Sequence, residues 1–353
     1  MACPVARDRA PVVSMSILVP PPIISPPSCF AGGTRIATTN GLVAVENLRE
    51  GADAIRAAGG NARIKWIGYR VVDCARHPRP ADVWPIRVCH GAFGDNVPTR
   101  DLMLSPDHSV FIDGVLIPIR YLLNGATIRQ EAAASVTYWH VELDCHDVIL
   151  AEGLPCESYL DTGNRGAFAN GGGAVTLHPD FARQIWEVEA CAKLVIGGAE
   201  LEAARSFVLD RATVLGHMMT DDADLHVVAD GQIVRPEVAG TRYSFALPRG
   251  AISVRLMSRH GVPAEMFDAN PDHRRLGVAI TVLHMDDVVQ DVGSITGQGW
   301  HPEEAGWRWT DGAATINVAG ARRLMVEMLA VARSWLPIAA ETELRFAETA
   351  RRS

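Results

Sequence analysis

Two-residue turn signals set between stretches of alternating apolar and polar residues constrain this chain more than any other feature. The segment "RIATTNGLVAVENL", residues 35–48, carries Asn40-Gly41 between two such stretches. Asparagine and glycine both accept positive φ, so the pair predicts a tight hairpin turn. Asp113-Gly114 repeats the signal within "DLMLSPDHSVFIDGVLIPIRYLL", and Asp230-Gly231 within "LHVVADGQIV". "IKWIGYRVVD", "SVTYWHVELD", "DVILAEGL", "RYSFALP", "AISVRLMS", "RLGVAITVLHM" and "LMVEMLAV" predict further strands. A period of two sends alternate side chains to opposite faces, as a sheet requires. A mainly β chain is therefore expected.

Two stretches interrupt the pattern. "DTGNRGAFANGGGAV", residues 161–175, reads as a glycine-rich linker and a domain boundary. "PDFARQIWEVEACAKL" predicts a helix from about Pro179, with Phe181, Ile185, Val188 and Ala192 on one stripe. "AARSFVLDRATVLGHMM" predicts a second helix. Beyond residue 223, regular turn signals between short strands suggest a β-sandwich. The expected order is a flexible proline-rich leader at 1–28, an all-β domain at 29–165, a linker and helical bridge at 166–222, a β-sandwich at 223–336 and a tail at 337–353.

The chain of 353 residues is 48% hydrophobic and 21% charged, with length enough for sizeable cores. Its net charge of −8 argues against nucleic acid as the main partner. No apolar stretch is long enough to span a bilayer. The leader "VVSMSILVPPPIISPPS" is broken by Pro20, Pro21 and Pro22 and reads as extended chain rather than a secretory signal. A cytoplasmic location and export without a recognisable signal peptide both stay open. The seven cysteines, Cys3, Cys29, Cys74, Cys89, Cys145, Cys156 and Cys191, are odd in number and irregularly spaced. No disulfide framework is expected, and at least one thiol should be free. Cys74, His77, Cys89 and His90 are metal-capable, but no C-x-x-C pair frames them, and no metal is expected.

Cys29 stands at the junction of leader and strands, with a peptide bond on its amino side as a natural target. "CFAGGTRIATTNGLVAVENL" resembles the opening motif of Hint domains, the self-processing modules shared by hedgehog proteins and inteins. "LSPDHSVFIDG" resembles the family's Thr/Ser-x-x-His motif, and "YWHVELDCHDVILAEGL" its closing motif. The three motifs occur in the family's order and cover roughly residues 29–165, most like bacterial Hint proteins of the hedgehog–intein type. "LREGADAI" departs from the family's usual Gly-Asp by the presence of Ala52.

The resemblance implies a horseshoe-shaped all-β domain that attacks its own backbone without a cofactor. Cys29 would attack the carbonyl of Ser28 and form a thioester, an N-to-S acyl shift. Cysteine suits this step, being strongly nucleophilic even when little of it is thiolate. His108 matches the histidine that contacts the scissile amide, and Ser105 would orient the same bond. Asp73 resembles the hedgehog aspartate that activates an incoming hydroxyl; its ordinary alternative is an aspartate that ends a strand. His140 and His146 would line the site. At "GLPCES", Glu157 and Ser158 stand where inteins carry histidine and asparagine. No asparagine is placed to cyclise, so splicing is not expected. Water, a small thiol or another external nucleophile would release the leader, the chain's own substrate. Cys156 is an internal acceptor or, more simply, a packed strand thiol.

"GQGWHPEEAGWRWTDG", residues 297–312, is the richest stretch of the second half. Trp300, Trp307 and Trp309 with neighbouring carboxylates would suit a sugar, or else anchor a sandwich core. His301, Glu303 and Glu304 read as loop residues. The alternative function is an inactive Hint scaffold that carries a carbohydrate- or protein-binding β-module.

Overall fold

The computed structural model describes residues 28–172, 179–266, 270 and 272–336. Residues 1–27 of the leader and the tail at 337–353 lie outside the described residues. Contacts divide the chain into two units, the first reaching residue 123 and covering 127–211, the second formed by 124–126 and 212 onward.

The first unit is built on one long, path-like sheet. Its strands are β1 (Phe30–Ala31), β2 (Arg35–Thr38), β3 (Gly41–Ala44), β4 (Asp53–Ile55), β5 (Asn61–Asp73), β6 (Ile86–Val88), β7 (Leu102–Leu104), β8 (Ser109–Ile112), β9 (Val115–Pro118), β10 (Ile128–Gln130), β11 (Ser135–Leu143), β12 (Val148–Ala151), β13 (Leu154–Glu157) and β14 (Lys193–Leu194). They run in the order β10-β6-β7-β1-β11-β5-β4-β2-β12-β13-β8-β9-β14, with β3 on β2. Short β1 is held between β7 and β11, where Phe30 faces Leu104 on one side and Trp139 on the other. The long β5–β11 ladder pairs Arg70 with Tyr138, Gly68 with His140 and Trp66 with Glu142. Alternation therefore puts these six side-chain positions on one face. The other face sends Val141 and Leu143 into a core with Phe30, Ile36, Leu104 and Ile149. Each such fully buried side chain contributes roughly 1.5–3 kcal/mol.

The hairpin turns differ in kind. Asp113 and Gly114 both take positive φ, 47° and 86°, between Ile112 and Val115. At the first hairpin Thr38 pairs with Gly41, so Thr39 and Asn40 form the loop and only Gly41 has positive φ, at 96°. Thr38 Oγ1 explains the shift: it accepts from the Asn40 amide at 3.2 Å and donates to the Gly41 carbonyl at 2.8 Å.

Helix α1 (Pro179–Glu189) begins where the sequence predicts, but Val188 is 73% exposed, so the expected apolar stripe is not buried at that position. Helix α2 (Ala199–Val214) sends Leu201, Ala204 and Val208 into the first unit's core. The glycine-rich stretch from 161 also lies inside this unit; Phe168 within it packs edge-on against Trp66 at 5.2 Å. The 166–222 bridge is thus largely absorbed by the first unit, because its apolar side chains find partners there.

The second unit is a β-sandwich. A four-stranded sheet includes strands His226–Ala229, Ser253–Met257 and Ala313–Asn317. A seven-stranded sheet includes Arg242–Ala246, Val278–Met285, Trp307–Thr310 and Arg323–Val331. Val227, Leu256 and Ile316 of the first sheet share a core with Phe245, Ile280 and Val326 of the second. Asp230 and Gly231 form the predicted turn, with φ of 48° and 79°. His301, Glu303 and Glu304 lie on a strand, Trp300–Glu304, and not in a loop. The three tryptophans form no single platform. Trp300 packs on the sandwich core, its Nε1 donating to the Thr315 carbonyl at 2.9 Å and Arg308 lying over its ring. Trp307 and Trp309 flank Arg308 on their strand, so alternation turns them to the opposite face.

Candidate active site

Register places Cys29. Phe30 faces Trp139, so Cys29, one residue earlier on an antiparallel strand, comes opposite His140. On the other flank Cys29 and Ser105 exchange two bonds. The Cys29 amide donates to Ser105 Oγ at 2.7 Å, and the Ser105 amide donates to the Cys29 carbonyl at 2.9 Å. The first of these N–H groups belongs to the Ser28–Cys29 peptide bond. Ser28 Oγ donates to the Asp107 carbonyl at 3.2 Å, so both sides of that bond are held by one loop.

That loop is a tight turn. Pro106 follows Ser105, and the His108 amide closes back on the Ser105 carbonyl at 3.0 Å. Proline's fixed φ suits the second position of such a turn. The turn carries His108 under Phe30, ring centroids 4.2 Å apart. His108 is fully buried, and among the described residues neither ring nitrogen finds a well-formed hydrogen bond. Burial pushes its pKa down to about 3, while the backbone of Cys29 and Glu157 beside the ring opposes that shift. Its imidazole is neutral at physiological pH.

Further imidazoles line up with it. His140 lies edge-on to His108 at 5.5 Å and to Tyr159 at 4.8 Å. Burial, then the neighbouring His108, His146 and Arg70, hold it well below the ordinary histidine value. His146 Nδ1 accepts from the Cys191 amide at 3.1 Å, which leaves Nε2 as the N–H, 3.9 Å from Glu157 Oε2. Burial pushes His146 down to about 4.

The thiol of Cys29 is wholly buried in an apolar group with Ala31, Trp66, Tyr138, Tyr159 and Phe168. Burial pushes its pKa up to about 12, and Arg70 beside it pulls the other way. Arg70 Nε and Nη2 are buried without a hydrogen-bonding partner among the described residues. Sequence reasoning missed Arg70; the signal was its place two and four residues after Gly68 and Trp66 on one face of β5. Reasoning from sequence also gave Glu157 no role. Its carboxyl is 2% exposed, and Oε1 accepts from the Ser109 amide at 2.8 Å. Burial raises it to about 7 against the pull of the Ser109 amide and the Ser28 and Ser109 hydroxyls, with Asp107 pushing it further up.

The structure thus brings Ser28, Cys29, Ser105, His108, His140 and His146 together. It leaves Asp73 out. β5 runs three residues beyond Arg70, and the Asp73 carboxylate, 53% exposed, caps the turn at Cys74–Arg76 by accepting from the Arg76 amide at 3.2 Å. Cys156 is the packed strand thiol: alternation on β13 turns it into the core while Glu157 faces the site. Cys74 is buried, His77 binds the Arg79 backbone and His90 faces Asn96, each in a local arrangement of its own.

A buried thiol thus follows a peptide bond whose N–H is held by Ser105, and His108 stands three residues further along the same loop. Residues 28–163 match the family model of the Hint domain, and this part of the chain is a Hint domain. Among solved structures it is similar to the bacterial intein-like domain from Clostridium thermocellum, 16% identical, covering 37% of this chain and 98% of that one, TM-score 0.29. It is also similar to the gp41-1 intein, 10% identical, covering 36% and 97%, TM-score 0.27. A DnaB intein from Synechocystis sp. PCC 6803 is 11% identical, covering 37% and 99%, TM-score 0.25. No curated protein matches the chain.

Proposed function

We propose that the first unit cleaves its own chain at the Ser28–Cys29 bond by an N-to-S acyl shift, without splicing. Covalent geometry sets the thiol of a residue one five-membered ring away from the preceding carbonyl carbon. Sγ attacks that carbon, and the C–N bond breaks as the C–S bond forms. The thiol proton passes to neutral His108 and from it to the departing Cys29 nitrogen. Ser105 fixes the orientation of that nitrogen, and the Arg70 cation favours the thiolate over the buried thiol. An external nucleophile then releases the polypeptide on the amino side of Cys29.

The observation that carries this reading is the 2.7 Å bond from the Cys29 amide to Ser105 Oγ, made by the very bond to be broken. Mass spectrometry of purified protein, with and without dithiothreitol or hydroxylamine, tests it. Loss of residues 1–28, abolished by Cys29→Ala, is expected. An intact chain under every nucleophile overturns it.

A further inference from the structure

We propose that Glu157 is the general base that delivers water to the Cys29 thioester, so that the resolving step is hydrolysis. This rests on the acyl-shift reading above. The carboxyl is buried beside the turn that holds the junction: Oε1 is anchored by the amide of Ser109, the residue after His108, at 2.8 Å, and the Ser28 hydroxyl favours its charged form. Anchoring leaves Oε2 to act. Oε2 and the His146 Nε2–H stand 3.9 Å apart, an acceptor and a donor spaced to address one oxygen together.

Other groups of the site are spoken for. Asp73 is a capping residue at the surface. The Ser158 hydroxyl accepts from the Asp147 amide at 3.0 Å. Cys156 points into the core. Asp107, the carboxylate of the loop that holds Ser28, is paired through Oδ1 with Arg120 at 2.8 Å.

The step balances. A water oxygen adds to the thioester carbon while its proton passes to Glu157. The C–S bond breaks, and the thiolate of Cys29 takes the proton back. The products are a chain ending in the Ser28 carboxylic acid and a chain beginning with the Cys29 amine and thiol. A base titrating near the working pH is the most efficient. The groups that face Glu157 are His146, His108, Asp107, Cys29 and Cys191, with the hydroxyls of Ser28 and Ser109. The two imidazoles are neutral above pH 5, so the Glu157 carboxyl is the group that changes charge around pH 7.

The experiment follows leader release in H2-18O buffer and, in parallel, in hydroxylamine. The native chain should release residues 1–28 with label in the Ser28 carboxyl, at a rate that rises with pH and levels above about 7. Glu157→Gln should lower the ratio of hydrolysis to hydroxylamine release by roughly 100-fold or more. An unchanged ratio, or a native hydrolysis rate flat from pH 5 to 9, overturns the proposal; the native profile decides even where the variant fails to fold. If the native chain releases nothing in hydroxylamine, the acyl shift itself fails, and this step with it.

Discussion

Acidification should unfold the first unit of an uncleavable Cys29→Ala chain with a slope set by its buried imidazoles. His108, His140 and His146 are all held below the ordinary histidine value by burial. In the unfolded chain each binds a proton below about pH 6.5. A group depressed in the folded state lends stability that is present above its unfolded value and lost as pH falls toward its folded one. Each imidazole therefore removes about 1.4 kcal/mol per pH unit across that window. Glu157 acts in the opposite sense. Raised to about 7, it lends stability that is present below its unfolded value and lost as pH rises through 7. Three imidazoles less one carboxyl leave a net uptake of about two protons on unfolding, or ~2.7 kcal/mol per pH unit between roughly pH 6 and 4.5. A domain with about 5 kcal/mol in hand would be exhausted within about two units. Urea denaturation at several pH values measures the slope, in Cys29→Ala and in the double variant with His140→Gln. Glutamine cannot bind the proton, so the double variant's slope should be smaller by about 1.4 kcal/mol per unit. His260 of the second unit, also held low by burial, is common to both chains and cancels. Equal slopes would mean that His140 is charged in the folded unit, and would refute the buried-imidazole argument.

Arg70→Met removes the cation that opposes the desolvation of Cys29. Hydroxylamine-dependent cleavage should slow at least ~10-fold, the value of one pKa unit, and an unchanged rate would remove Arg70 from the first step. At Gly68, opposite His140, a methyl group would overlap the Trp66 ring and meet Phe168 Cδ1 at 2.9 Å. Gly68→Ala should cost about 1–3 kcal/mol, seen as a lower denaturation midpoint with unchanged m value. A neutral result would show that the aromatic wall beside the thiol can yield.

Much of the site was legible in sequence because its members sit in short, local signatures. Cys29 follows a proline-rich leader. Ser105 and His108 are joined by a four-residue turn whose proline is visible in the letters. The mainly β character followed from alternation and from turns such as Asp113-Gly114. What was not legible came from distant strands. Arg70 reaches Cys29 only because β5 pairs with β11 and β11 with β1. Asp73 looked like a base because it ended a strand near the right distance in sequence; the strand runs past the site, and the turn after it claims the carboxylate. The tryptophan-rich stretch gave its residues but not their faces, since a bulge between Trp300 and Glu303 resets the pairing.

Order along the chain and local chemistry decided which residues this protein can use: a thiol after serine, a serine three before a histidine, sheet-forming alternation on both sides. Those properties need only neighbours within one turn or strand. Charge state was decided by the tertiary structure. A carboxyl near 7, imidazoles that stay neutral and a thiol near 12 arise from exclusion of water and from partners brought across the sheet, which no short stretch of sequence contains.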